Sequence, residues 1–252
     1  MVTDKRRHEL LHQHFYLHRE KVLETYRGVS PDAAERLARQ RMRRAVGAVC
    51  HNLPEGGRVL DLGSGCGIAA STLAELGFEV TAVELIPEIL EEAKRRTSAA
   101  VNWVNQPFDL KVGEIGSFDA VLSLGFLEYQ ERAGKELVRM RRMLKPGGLL
   151  VLSVPNTLSP RFHYGLTRAL FRLGKEPEEI PVRHSFTPER LQRCLGMAGF
   201  ILLDYEWLPP GEGSEPLDKE RERDFLVHRM KLRTAEEMLT LSRTYTDADV
   251  TP

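Results

Sequence analysis

The chain has 252 residues, 42% hydrophobic and 29% charged, and its 36 Lys+Arg balance 36 Asp+Glu to a formal net charge of zero. That profile fits a soluble globular protein with room for one α/β domain and a helical extension, and it lacks the basic surplus of proteins that grip nucleic-acid phosphates. Cys50, Cys66 and Cys194 are too few and too scattered for a disulfide framework or a zinc cluster, and no apolar run reaches the ~18 residues of a membrane span.

In chain order, residues 1–27 read as a helix, with Leu10, Leu11, Phe15, Leu17, Val22, Leu23 and Tyr26 on broken apolar faces. Residues 1–14 are charged and His-rich with no apolar core, so no signal peptide is expected, and the few scattered cysteines suit a reducing cytoplasm as the expected location. Gly28 ends this helix. Ser30 then caps the next, and Pro31 opens it at a position where no amide hydrogen is missed. The second helix runs to about residue 51 with Leu37, Ala38, Met42, Ala45, Val46 and Val49 at three- and four-residue steps, and Pro54-Glu55-Gly56-Gly57 breaks it. From Arg58, strands at 58–62, 79–84, 101–104, 120–124, 149–154 and 200–206 alternate with helices near 68–76, 87–97, 131–144 and 187–198. Alternation of this kind predicts an α/β fold, a doubly wound and mostly parallel sheet with helices on both faces. The division expected is an N-terminal helical cap (1–53), a central domain (54–210) with a helical insertion (157–183), and a tail (211–252) in which 225–231 forms a strand or a helix.

The most informative stretch is Val59-Leu60-Asp61-Leu62-Gly63-Ser64-Gly65-Cys66-Gly67. A buried strand runs into glycines at alternate positions, where the backbone turns sharply and a ligand approaches without meeting a Cβ. Glu84 closes the next strand about 20 residues on, where a carboxylate can accept from both hydroxyls of a ribose. A dinucleotide site needs G-x-G-x-x-G to seat a pyrophosphate on the helix N-terminus. Here the third glycine comes one residue early and Ile68 takes its place, while Asp61 would repel a pyrophosphate. An acid there suits an ammonium group. Adenosine joined to an amino acid, with no phosphate, describes S-adenosylmethionine.

With those residues in view, the chain resembles the class I S-adenosylmethionine-dependent methyltransferases. VLDLGSGCG and Glu84 look like their first two motifs, the segment from Ser117 to Tyr129 looks like their fourth-strand motif, and Leu144-Lys145-Pro146-Gly147-Gly148 looks like the turn before their fifth strand. The likeness spans about residues 40–207 and implies a Rossmann-like domain. It also implies that Gly63, Ser64, Gly65 and Gly67 line the methionine and ribose, that Asp61 holds the amino group and that Glu84 takes the ribose. Leu85 and Ile86 would flank the adenine, Asn105 and Gln106 would reach its amine, and Leu124 would pass near the methionine. Cys66 reads as a small packing residue.

Methyl transfer is an in-line displacement governed by alignment, and a base is needed only for a weakly acidic hydroxyl or a protonated amine. Candidate bases are Glu128, Tyr129, His163 and His184. Ser123-Leu124-Gly125-Phe126 replaces the Asn-Pro-Pro-Tyr of enzymes that methylate amide or adenine nitrogens. The insertion after strand five carries Phe162, Leu166, Ala169, Leu170 and Leu173 near one helical face, with Arg161, Arg168, Arg172 and Lys175 largely elsewhere. Together with Thr187 and Pro188, which start the next helix, this layout resembles O-methyltransferases of quinone biosynthesis. The insertion is then either a lid over the acceptor or a basic amphipathic helix on a membrane surface. A small-molecule acceptor methylated at oxygen is the leading expectation; a catalytically silent cofactor-binding scaffold or an RNA or protein methyltransferase is the alternative.

Two further patterns have ordinary explanations. His8-Glu9-Leu10-Leu11-His12 matches the H-E-x-x-H of zinc hydrolases, but on a terminal helix without a supporting fold it predicts no functional metal site; His14 and His18 extend a cluster open to adventitious metal, and a solvated or acceptor-lining helix is expected. Arg36, Arg39, Arg41, Arg43 and Arg44 spread around their helix, with Asp32 and Glu35 at its start, and read as a solvated face rather than an RNA-binding one.

Overall fold

The computed structural model describes residues 33–97, 99–107, 117–130, 132–155, 184–208 and 237–244. Several expectations lie outside these residues: the first helix with its H-E-x-x-H, the Ser30–Pro31 start, the insertion with His163 and segment 161–175, and segment 225–231.

The elements follow the order α1 (Ala33–Asn52), β1 (Arg58–Leu62), α2 (Ile68–Glu75), β2 (Glu79–Val83), α3 (Pro87–Arg96), β3 (Val101–Val104), β4 (Phe118–Leu124), a 3-10 turn (Leu127–Tyr129), α4 (Ala133–Met143), β5 (Leu144–Pro155), α5 (Pro188–Met197), β6 (Phe200–Leu208) and β7 (Glu237–Thr244). The strands form a seven-stranded sheet in the order β3-β2-β1-β4-β5-β7-β6. β1 to β5 are mutually parallel, and β7 runs antiparallel to both its neighbours.

Strand side chains alternate between two apolar clusters, one on each face. Leu60, Leu62, Val121, Leu150, Leu152 and Val154 point toward α4 and α5, where Leu137, Met140, Leu191 and Leu195 receive them. Val59, Ala120, Leu122, Leu149 and Val151 point the other way, onto Met42, Ala45 and Val49 of α1 and Ala69, Ala70 and Leu73 of α2. With both faces covered, the central strands are near-continuous apolar runs. Each fully buried Leu, Val or Met contributes about 1.5–3 kcal/mol. Helices on both faces of a mostly parallel sheet are the doubly wound, Rossmann-like architecture expected.

Helix starts follow the local chemistry. Thr187 caps α5, its Oγ1 accepting from Arg190 N at 3.3 Å, and Pro188 takes the first turn. Pro87 opens α3 in the same way. Two strands differ most from expectation. β5 begins at Leu144, five residues early, because Leu144 pairs with Phe118 before a register shift brings Leu149 opposite Ala120. β7 occupies 237–244, between β5 and β6, where the sequence reading placed no strand.

Candidate active site

The parallel strands β1, β2 and β4 all end at one edge of the sheet, and the chain turns outward there. After β1, Gly63 N and Ser64 N both donate to Val83 O of β2, at 2.9 and 3.0 Å. Gly67 N then donates to Ser64 O at 2.9 Å, and Gly67 O accepts from Ser71 N as α2 begins. The residue types follow from the neighbours. A Cβ on Gly63 would lie 3.0 Å from the Phe126 ring. One on Gly67, whose φ is +71°, would run into the Trp103 ring and lie 3.1 Å from Ala93 Cβ. Gly67 is therefore held as glycine by helix–strand packing beneath the loop. Cys66 is buried with Ile86 and Ile89, as a small packing residue would be.

Two carboxylates stand beside this loop. Asp61 is only 2% exposed and its Oδ2 has no partner among the described residues. Burial, and then the neighbouring Glu84, push its pKa from 3.8 up to about 7. Ser64 Oγ is likewise buried without a partner among the described residues. Glu84, 8% exposed, is better provided for: Oε2 accepts from Gly65 N at 3.0 Å and Oε1 from Ile86 N at 2.9 Å. Burial raises its pKa while these amides work against the rise.

The turn after β2 carries Leu85, half-buried, and Ile86, which is 1% exposed and so part of the core. Asn105 lies beside this turn, its Nδ2 donating to Glu84 O at 2.9 Å and to Leu85 O at 3.1 Å. Gln106 and Leu124 are half-buried.

Past β4, Gly125 N donates to Ser153 Oγ of β5 at 3.0 Å. The Arg41 guanidinium of α1 lies against Gly125, its Nη1 2.9 Å from where a Cβ would stand. Arg41 is thus drawn in toward the strand ends and half-buried, while Arg43 and Arg44 remain on an exposed face. That corrects the reading of Arg41 as part of a solvated stripe. Phe126 O accepts from Tyr129 N at 3.2 Å and Gln130 Nε2 at 3.3 Å, closing the 3-10 turn. His184 N donates to Glu128 O at 3.1 Å, and Phe186 N to Pro155 O at 3.0 Å. These bonds bring Glu128, Tyr129 and His184 together beyond the ends of β4 and β5. Glu128 is 2% exposed, whereas Tyr129 and His184 are half-buried.

Sequence reasoning missed Arg41, Phe126 and Ser153. Helical periodicity cannot tell which of five arginines turns inward, and a Ser in a strand carries no signal of its partner.

A buried acid with an unpaired oxygen, a second acid held by loop amides, and a backbone turn crossing parallel strand ends suit a ligand with an ammonium group and a ribose but no phosphate. The groups present fit S-adenosylmethionine, the cofactor of class I methyltransferases. A family model described as a methyltransferase domain matches residues 33–205. The chain is 30% identical over 185 residues to the ubiquinone biosynthesis O-methyltransferase of Xanthomonas axonopodis pv. citri (strain 306), covering 71% of this chain and 77% of that one. It is 29% identical over 154 residues to the enzyme of the same name from Methylocella silvestris, covering 60% of each.

Among solved structures, the magnesium protoporphyrin IX methyltransferase of Synechocystis PCC 6803 with bound S-adenosylhomocysteine superposes with a TM-score of 0.65 at 16% identity, over 94% of this chain and 99% of that one. The Burkholderia thailandensis 1,6-didemethyltoxoflavin-N1-methyltransferase, solved with that substrate and S-adenosylhomocysteine, gives 0.63 at 21% identity, over 98% and 92%. The chain belongs to the methyltransferase domain family and is an S-adenosylmethionine-dependent enzyme.

Proposed function

We propose that this enzyme methylates an oxygen of a small aromatic acceptor, a phenol or catechol of the kind found in quinone precursors. The observation that carries the cofactor half is the pairing of Asp61, with its unpartnered buried oxygen, and Glu84, anchored to the glycine loop. Asp61 takes the ammonium of the methionine moiety and Glu84 the ribose hydroxyls. Arg41, the cation drawn in against Gly125, takes the methionine carboxylate. Gly63, Ser64, Gly65 and Gly67 form the floor, Leu85 and Ile86 flank the adenine, Asn105 and Gln106 border its edge, and Leu124 closes the methionine side. S-adenosylmethionine supplies an electrophilic methyl group when bound.

Support for oxygen and for a small aromatic acceptor comes from the two relatives named for ubiquinone biosynthesis, at about 30% identity. A phenol is weakly acidic, so a base is required to take its proton. His184 fits that role: its backbone is fixed to Glu128, its ring is half-buried, and it sits beyond β4 and β5 rather than beside the cofactor acids. Glu128 and Tyr129 complete that side of the site, with His163 the remaining candidate.

The test is isothermal titration with S-adenosylhomocysteine followed by an acceptor assay. Glu84→Ala should weaken binding by about 1–3 kcal/mol, the loss of a charge-assisted acceptor. The holoenzyme should then transfer labelled methyl to a catechol panel, giving methyl ethers. Binding without transfer to any oxygen acceptor would defeat the oxygen assignment; absence of binding would defeat the site.

A further inference from the structure

Asn105 stands at the C-terminal end of β3, beside the turn that follows β2. Its Nδ2 carries two hydrogens, and both have acceptors in that turn: Glu84 O at 2.9 Å and Leu85 O at 3.1 Å. Glu84 N meanwhile donates to Val104 O at 3.0 Å. The Glu84 carboxylate continues the connection, one oxygen on Ile86 N within the turn and the other on Gly65 N in the glycine loop. A run of hydrogen bonds therefore joins β3, the 84–86 turn, the Glu84 carboxylate and the loop.

We infer that Asn105 is a positioning residue: by holding the carbonyls of Glu84 and Leu85, it sets the direction in which Glu84 presents its carboxylate to the ribose. The inference rests on the assignment of the ribose to Glu84. With Glu84 N held by Val104 O and Glu84 O held by Asn105 Nδ2, the peptide planes on both sides of residue 84 are fixed, and with them the direction of its side chain. Glu84 is also nearly buried, so a carboxylate turned a little away has no solvent to compensate for a lost hydroxyl partner. The residue type is specific to this job. An aspartate has almost the same shape but offers oxygens where donors are needed, facing two carbonyl oxygens. An asparagine acting only through its oxygen on the adenine amine would be replaced by aspartate without loss.

That difference makes the test. S-adenosylhomocysteine is titrated into the full-length wild type, Glu84→Gln, Asn105→Asp, Asn105→Ala and the Glu84→Gln/Asn105→Ala double variant, with ligand-free melting temperatures recorded alongside. Asn105→Asp is expected to bind about 10-fold or more weakly than wild type, and no better than Asn105→Ala. In the Glu84→Gln background, Asn105→Ala should cost less than about twofold more, because the group it positions is already impaired. Binding of Asn105→Asp within about twofold of wild type would overturn the inference, as would a full loss on Asn105→Ala in the Glu84→Gln background. The second arm stands even if the Asp variant does not fold. Wild type that fails to bind overturns the ribose assignment as well. Wild type that binds, is weakened by Glu84→Gln and is indifferent to Asn105→Asp overturns the role of Asn105 alone.

Discussion

Replacing Gly67 with alanine isolates what the packing beneath the loop is worth. The backbone there has φ +71°, which costs a residue with a Cβ about 1–2 kcal/mol. The added methyl also enters space held by the Trp103 ring and lies 3.1 Å from Ala93 Cβ, an overpacking worth about 1–3 kcal/mol. Gly67→Ala should therefore destabilise the protein by about 2–5 kcal/mol. Gly77 supplies the control: its φ is +88° but no atom lies within 4 Å of its Cβ site, so Gly77→Ala should cost only the backbone share. Urea unfolding of both variants, with the slope checked for constancy, gives the two free energies. A cycle with Trp103→Leu should return a favourable coupling of about 1–3 kcal/mol, since the smaller side chain admits the methyl. If Gly67→Ala costs no more than Gly77→Ala, or the coupling is nil, the account of Gly67 as a packing glycine is wrong.

Asp61 makes ligand-free stability depend on pH. The unfolded chain releases this proton near pH 3.8 and the folded protein near about 7, so between those values only the folded state keeps it, and stability falls as pH rises through that window and levels off above it. Asp61→Asn should flatten part of that decline and be more stable than wild type at about pH 8, and an unchanged slope in urea titrations would refute the point. Arg41→Ala should weaken S-adenosylhomocysteine by about 1.5–3 kcal/mol while leaving methylthioadenosine, which lacks the carboxylate, unaffected in titration calorimetry. Equal losses for both ligands would remove the carboxylate role. His184→Ala should lower kcat on a catechol acceptor by about 10²–10⁴ with cofactor affinity unchanged, and a rise in KM with kcat unchanged would point away from a base.

Much of the fold was legible because parallel strands covered on both faces advertise themselves. β1 and β3 fall on the residues expected, since each is a short stretch rich in Val, Leu or Trp bounded by Gly, Pro or polar turn residues. β5 was read short because Lys145-Pro146-Gly147-Gly148 carries every mark of a turn; only the pairing of Leu144 with Phe118 makes it part of the sheet. β7 did have a signal, Leu239 and Leu241 alternating with Thr240 and Ser242, but it lies in a charged tail far from its partners. Asp61 near the end of β1 and Glu84 just after β2 are legible as candidates because each stands at a strand end at a set distance from the glycines. What Asn105 holds could not, because hydrogen bonds to backbone carbonyls leave no trace in residue spacing.

The place of β7 has a consequence for how the molecule is made. Among the described strands, β6 joins the sheet through β7 alone, and β7 is the later of the two in the chain. As synthesis proceeds, β1 to β5 can assemble while β6 has emerged without its hydrogen-bonding neighbour. Until residues 237–244 arrive, both β5 and β6 expose a bare line of amides and carbonyls, a template for pairing with another nascent chain. β7 acts as a keystone set after its neighbours, and a chain cut short before Glu237 would leave both of their margins open.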